Sequence, residues 1–289
     1  MSGTWELHIT AEGYPAHLRD GQRPPKVLFG MGDPATLVPG LAIIGARQAT
    51  PYGLACARMF ATAAADAGVT VISGAAVGCD LAAQSAALEA GGRSVAVLGC
   101  GADYDYPRRA ATMLSQLRSG KGCVVSELAW ATPPRPGQFP ARNRIIAGLA
   151  AAVLVVEAAL PSGTFSTADS ALDSGRDVLA VPGSILYSGS AGSNRLIRQG
   201  AAPITCVEDL QDAMASAGLT APRGSATARD AFRDDSDDPL LRAVRAHPMH
   251  PDAAADALGL RLQHVLAELA RLEAAGMVAR HTDGRYGPC

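Results

Sequence analysis

Residues 41–80 read LAIIGARQATPYGLACARMFATAAADAGVTVISGAAVGCD, and the fold is decided in this stretch. Leu41–Ile44 runs without polar alternation into Gly45, which predicts a strand buried on both faces. Residues 51–67 are Ala-rich and open on Pro51, a residue suited to the first turn of a helix. Val69–Ile72 is a second apolar run, closed by Ser73-Gly74. Strand, helix and strand in this order form a unit with parallel strands.

The unit repeats in both directions of reading. Asp80–Ala90 predicts a helix closed by Gly91-Gly92, Val95–Leu98 a strand ending at Gly99-Cys100-Gly101, and Cys123–Ser126 a fourth strand. Val153–Glu157 predicts a fifth strand, Thr167–Leu172 part of a helix closed by Gly175, and Val178–Val181 a sixth strand ended by Pro182-Gly183. Fully apolar strands alternating with helices place the chain in the α/β class. The expected architecture is an extended Rossmann-like, doubly wound, mostly parallel sheet, followed by a small winged-helix domain.

The division follows composition. Residues 1–40 are expected as a short N-terminal extension packed on the sheet domain of residues 41–213. Residues 214–238, ending in Asp234-Asp235-Ser236-Asp237-Asp238, predict an acidic flexible linker. In residues 239–289, Leu240, Leu241 and Val244 mark a first helix and Pro251–Leu258 a second. Leu262, Val265, Leu266, Leu269 and Leu272 recur at helical spacing in a third, and residues 276–286 suit a two-strand wing.

Bulk chemistry narrows the function. The chain has 289 residues, 48% hydrophobic and 18% charged, enough apolar material for a core. Its net charge of −2 excludes a globally basic surface, so any nucleic-acid site must be a local patch. The six cysteines, Cys56, Cys79, Cys100, Cys123, Cys206 and Cys289, form no C-x-x-C pair and no zinc-like spacing with histidine, so no metal is expected. A signal-like N-terminus and a membrane-length apolar run are both lacking, which predicts a cytoplasmic protein without membrane contact. No G-x-x-x-x-G-K-[ST], H-E-x-x-H or G-x-S-x-G motif occurs, so no cofactor and no catalytic residue are expected. A general base at the strand ends would have to be Asp80, Glu127 or Glu157.

Ligands of doubly wound sheets sit at the carboxyl ends of the strands. There, Gly45-Ala46-Arg47 reads equally as a phosphate-holding turn with a forked cation and as an ordinary strand-to-helix turn. Ser73–Asp80, with Gly74 and Gly78, leaves open backbone for an anion, and Asp80 is placed as the cap of the next helix. Gly99-Cys100-Gly101 reads as a tight turn, because Tyr104 stands where a dinucleotide fingerprint needs its third glycine. Residues 133–149 are densest. A Pro-rich loop brings Phe139 and then Arg142-Asn143-Arg144 onto a helix start, the aromatic-plus-cation pairing that single-stranded nucleic acid requires. The competing reading buries Phe139 and leaves both arginines on a solvated face. Ser162-Gly163-Thr164 suits both phosphate binding and simple helix capping. Asn194 reads as the cap of a short helix carrying Arg195 and Arg198, structural or DNA-contacting.

In this order the motifs resemble the DprA/Smf family of DNA-processing proteins. The matching text comprises Tyr14-Pro15, Pro24–Leu28, Gly45–Arg47, Ser73–Asp80, Val97–Gly101, Phe139–Leu149, Glu157–Thr164, Val181–Gly183 and Gly192–Ala201. The resemblance implies a non-enzymatic, homodimeric protein that binds single-stranded DNA and loads the recombinase RecA during natural transformation. It also implies displacement of single-strand-binding protein from incoming DNA. By this resemblance Arg47 matches the family's DNA-contacting Arg and Arg142-Asn143-Arg144 its basic motif; the residue reading adds Gly45, Ser73, Gly74, Gly78, Phe139, Ser162, Gly163, Thr164 and Arg195 as candidate DNA contacts. The chain departs from the family pattern at Val77, usually Arg, at Cys79, usually Ile, and at Ala141, more often basic or polar.

Two other functions compete. A related Rossmann group contains nucleoside-monophosphate phosphoribohydrolases, whose P-G-G-x-G-T-x-x-E motif ends in a carboxylate. Here Pro161–Thr167 supplies no Glu. A transcriptional regulator would read DNA with the third tail helix, but Arg261, His264 and Arg271 stand among Glu268 and Glu273, a weakly basic face.

Overall fold

The computed structural model describes residues 3–21, 23–221, 238–281 and 283–288. The first domain runs Thr4–His8 (β1), Ala16–Arg19 (α1), Val27–Gly32 (β2), Gly40–Ile44 (β3), Pro51–Asp66 (α2), Val71–Ser73 (β4) and Cys79–Glu89 (α3). It continues with Ser94–Val97 (β5), Ala111–Gln116 (α4), Gly122–Ser126 (β6), Gln138–Leu149 (α5), Ala150–Val155 (β7) and Thr164–Asp173 (α6). Asp177–Ala180 (β8), Ala191–Arg198 (α7), Ala202–Pro203 (β9) and Val207–Ser216 (α8) complete it.

The strands lie in the order β1-β2-β6-β5-β4-β3-β7-β8-β9. From β6 to β9 every neighbouring pair is parallel. The chain winds outward from β3 through β4 and β5 to β6, then crosses by α5 to β7 on the other side of β3. The winding therefore reverses between β3 and β7. Loops leaving the carboxyl ends of those two strands go to opposite faces and leave a crevice between them.

β3 shows why these strands carry no polar alternation. Its Ala42 and Ile44 pack with Ile145, Ile146 and Leu149 of α5, while Leu41 and Ile43 pack with Ala57 and Phe60 of α2 and with Ala83 of α3. Both faces are covered, so both sets of side chains must be apolar. Each fully buried Ile, Leu or Phe contributes about 1.5–3 kcal/mol. Buried alanines such as Ala61, Ala64, Ala83 and Ala87 let α2 and α3 lie close together, which accounts for the low aromatic content.

The N-terminal segment does more than pack on the sheet. β1 and β2 pair antiparallel, and β2 extends the sheet antiparallel to β6. Gly30 in β2 hides this strand in the sequence, since Gly is a poor strand former. The position needs it because the Trp5 ring lies where a Cβ would project. Two strand boundaries also shift: β4 begins at Val71, and β7 begins at Ala150 because α5 runs directly into it.

Of the linker expected over 214–238, residues 222–237 lie outside the described residues, and Met214–Ser216 complete α8. The tail comprises Pro239–Ala246 (α9), Pro251–Leu258 (α10), Leu262–Ala274 (α11), Ala279–Arg280 (β10) and Tyr286–Gly287 (β11). The Asp238 carboxylate caps α9 by accepting from the Leu240 amide at 2.9 Å. Val265, Leu269 and Leu272 of α11 join Leu240, Leu241 and Val244 in a small core. Leu262 and Leu266, which share the helical spacing, stay 44% and 45% exposed. The tail touches the first domain where Gly287 lies between Pro248 and Pro51, and where the rings of Tyr187 and His247 meet edge-on.

Candidate nucleic-acid interface

At the point where the winding reverses, a cleft of about 590 Å³ opens between the loop after β3 and the loop after β7. Gly45, Arg47 and Gln48 line one side, Ser162, Gly163 and Thr164 another, and Phe139 and Asn143 of α5 a third. Tyr187, Ser188 and Gly189 close the remaining side.

The loops are set by buried carboxylates. Asp80 does not cap α3, contrary to expectation. Gly78 holds that position with φ +97° and ψ −134°, a conformation closed to ordinary L side chains. Asp80 sits inside the first turn and reaches sideways. Its Oδ1 accepts from the Gly45 amide at 3.3 Å and its Oδ2 from the Gly74 amide at 3.1 Å. One side chain thus ties the loops after β3 and β4 together. Burial pushes its carboxyl above the usual range, while Arg142 and the two amides pull it back.

Arg142 departs from the expected phosphate clamp. It is 5% exposed and turned inward from α5. Its Nη1 donates to the Gly74 carbonyl at 2.8 Å and to the Val97 carbonyl. Burial lowers its pKa to about 10, against the opposing pull of Asp80. One nitrogen of the Arg142 fork is committed to two strand-end carbonyls, so the side chain shapes the cleft floor. Arg144 is also elsewhere: it pairs with Glu127 and lines a separate small cavity with Leu18 and Pro24. Asn143 stays beside the cleft together with Arg142, its Nδ2 donating to the Ser166 hydroxyl at 2.6 Å.

Other expected contacts are internal too. Ser73 is fully buried and donates to the Ile43 carbonyl at 2.6 Å, a bond between neighbouring strands. Gly74 is buried against the Arg142 guanidinium, which occupies the space a Cβ would need. Asn194 lies within α7, whose N-cap is Ser190, and so does not cap it. Its amide clamps Gly183, accepting from the Gly183 N–H at 3.1 Å and donating to its carbonyl at 2.9 Å. Arg195 is exposed on α7 but does not line the cleft.

The remaining residues converge. Arg47 is exposed, and its guanidinium carbon lies 5.8 Å from the centre of the Phe139 ring. Phe139 in turn stacks on Tyr106, with ring centres 5.5 Å apart and planes 27° from parallel. Ser162 accepts from the Thr164 amide at 3.2 Å in the turn that starts α6, and Gly163 is the helix N-cap. The first amides of α6 therefore face the cleft with the positive end of the helix dipole.

Glu157 anchors the far side. It is 3% exposed and accepts from the Thr50 hydroxyl at 2.6 Å and the Thr50 amide at 3.1 Å, pinning the start of α2 to the end of β7. Burial pushes its carboxyl up, and the Thr50 bonds partly offset this. With a raised pKa, the folded protein holds the proton more tightly than the unfolded chain does. This stabilising share is fully present in acid, below the unfolded value, and is lost as pH rises through the folded value. Glu157→Gln removes that loss. Its stability relative to the parent is expected to rise as pH increases above the ordinary carboxylate range in urea unfolding; a constant difference would contradict the assignment.

Tyr106 and the 187–189 loop escape sequence reasoning. The available signal is Tyr106-Pro107 just after the Gly99-Cys100-Gly101 turn, at a strand's carboxyl end and followed by Arg108-Arg109. Only the tertiary structure brings it against Phe139, which is more than thirty residues away.

Comparison with known proteins adds the family. Residues 6–215 match DNA recombination-mediator protein A, and residues 220–284 match the DprA winged helix domain. Protein Smf of Escherichia coli is 39% identical, over 93% of this chain and 73% of the relative. DNA processing protein DprA of Streptococcus pneumoniae is 38% identical, over 70% of this chain and 71% of the relative. Among solved structures, DprA from Streptococcus pneumoniae matches with a TM-score of 0.69 at 35% identity, over 72% of this chain and 73% of that one. DNA processing protein A from Helicobacter pylori, solved to describe its single-stranded DNA binding mode, matches with a TM-score of 0.67 at 28% identity, over 75% of this chain and 99% of that one.

Proposed function

The chain belongs to the DNA recombination-mediator protein A family, also called DprA or Smf, and from that premise we infer that it binds single-stranded DNA in the switch-point cleft and presents it to a recombinase. The observation that carries this reading is the stack of Arg47, Phe139 and Tyr106 at the cleft edge. A guanidinium beside aromatic rings offers a phosphate contact and a stacking face in one place, and neither depends on base identity. The α6 amides supply a second anion site across the cleft.

The DNA leaves the cleft chemically unchanged. The nearest carboxylates, Asp80 and Glu157, are both buried and already accept from amides or a hydroxyl, so neither is poised as a general base. The protein partner is RecA, single-strand-binding protein is what the mediator displaces, and the working form is a homodimer in the cytoplasm. The Helicobacter pylori protein, whose structure describes a single-strand binding mode, supports the DNA ligand.

The test is fluorescence anisotropy with labelled oligo-dT and a matching duplex across a salt series. Expected is preference for the single strand, with log affinity falling linearly with log salt by about 0.7 per phosphate contacted. Equal affinity for duplex, or release of free base from a nucleoside monophosphate, would overturn the reading.

A further inference from the structure

Tyr187 stands in one wall of the cleft and also lines a second cavity, of about 250 Å³, in the seam between the two domains. Tyr52 and Tyr187 face this seam from the first domain, and His247, Pro248 and Arg285 face it from the tail. Resting on the single-strand reading above, we propose that His247 and Arg285 are positioning residues for the cleft. Acting through Tyr187, they hold its 187–189 wall in place, so that docking of the winged-helix tail and binding of the strand are coupled.

The 183–190 loop is fixed at its ends and loose in its middle. Asn194 clamps Gly183, and Gly183 packs on the buried Ser190. Between them, Ile185 and Leu186 are each 91% exposed, and the amides of Leu186 and Tyr187 bond back to Ser184 inside the loop at 3.2 Å. Tyr187 is the side chain that reaches out of this segment. Its ring fills the space a Cβ on Gly189 would need, and it meets the His247 ring edge-on with centres 6.5 Å apart. The Arg285 guanidinium, paired with Asp283, faces the Tyr187 hydroxyl. The tail is seated beside it, with Gly287 packed between Pro248 and Pro51, next to the Thr50 that Glu157 pins. Neither His247 nor Arg285 lines the cleft, so their influence on a strand passes through the loop. A wall held before the strand arrives lowers the ordering cost of binding. By linkage, the strand then favours the docked tail by the same factor.

The test combines oligo-dT anisotropy across a salt series with amide hydrogen exchange on the full chain. The proteins compared are the parent, Arg47→Ala, Tyr187→Ala, the tail variant His247→Ala/Arg285→Ala, and the triple variant that adds Tyr187→Ala to it. Without DNA, the tail variant is expected to exchange the Tyr187 and Ser190 amides faster than the parent, with exchange in β3 and β7 unchanged. It should bind oligo-dT about 2- to 10-fold more weakly. Its salt slope should match the parent's, whereas loss of a direct phosphate contact lowers the slope by about 0.7. Once Tyr187 is removed, the two tail substitutions should have no further effect on binding. Parent-like exchange at Tyr187 and Ser190, or parent-like binding by the tail variant while Arg47→Ala still weakens it, would overturn the coupling and leave the cleft reading intact. A lowered salt slope in the tail variant would also overturn it, by making Arg285 a direct contact. Failure of the parent to bind any strand would sink both readings.

Discussion

Arg142→Ala is expected to lower stability by about 1–3 kcal/mol for each buried carbonyl left without a donor, because it strands buried partners instead of deleting a surface contact. The guanidinium faces Asp80 and satisfies the carbonyls of Gly74 and Val97. Its removal leaves Asp80 in the interior without its cation and two strand-end carbonyls without a donor. For a chain of this size the melting temperature should fall by roughly 10 °C, readable by scanning calorimetry. DNA binding should fall with it, through collapse of the loops that Asp80 joins. A double-mutant cycle with Asp80→Asn separates the causes: coupling of about 1–3 kcal/mol in stability is expected. An Arg142→Ala protein that melts like the parent and loses only DNA affinity would restore Arg142 as a direct contact.

Arg47→Ala should do the reverse. The side chain is exposed, and among the described residues it has no ion-pair partner, so stability should change by no more than about 0.5 kcal/mol. Loss of a charge-assisted phosphate contact is expected to weaken single-strand binding by about 10- to 100-fold. The salt slope should fall by about 0.7, and the effect should be the same for oligo-dT and mixed sequences. Arg47→Lys keeps the charge without the fork or the flat face over Phe139, so it should lie between the two. Anisotropy titrations of the three proteins decide this. A strong dependence on base sequence would mean that Arg47 reads bases.

The two arginines illustrate what a motif conveys. Both stand in glycine- or proline-flanked segments at strand or helix ends, and both attract a phosphate reading. Residue type and spacing do not reveal which way a long side chain turns. On α5, Phe139 and Arg142 stand three residues apart on the face toward the cleft, where Arg142 bends down to the strand-end carbonyls, while the helical rotation carries Arg144 toward Glu127. The same limit applies to Asp80. Its place near a helix start suggests a cap, but Gly78 already fills that position, and the carboxylate is used across two loops that lie far apart along the chain.

The sequence by itself determined the layered α/β architecture, the winged-helix tail and the strand-end glycine turns. These follow from local periodicity, since a strand covered on both faces must be apolar throughout, as Leu41–Ile44 is. It also placed Arg47 and Ser162–Thr164 at the strand carboxyl ends, the edge where such folds bind ligands. Only the tertiary structure decided that β1 and β2 widen the sheet, that Arg142 and Ser73 are internal, and that Tyr106 meets Phe139. Each of these depends on pairing or packing between segments remote in sequence. Local pattern carries no record of which remote partner takes up a side chain's hydrogen bonds or covers its ring.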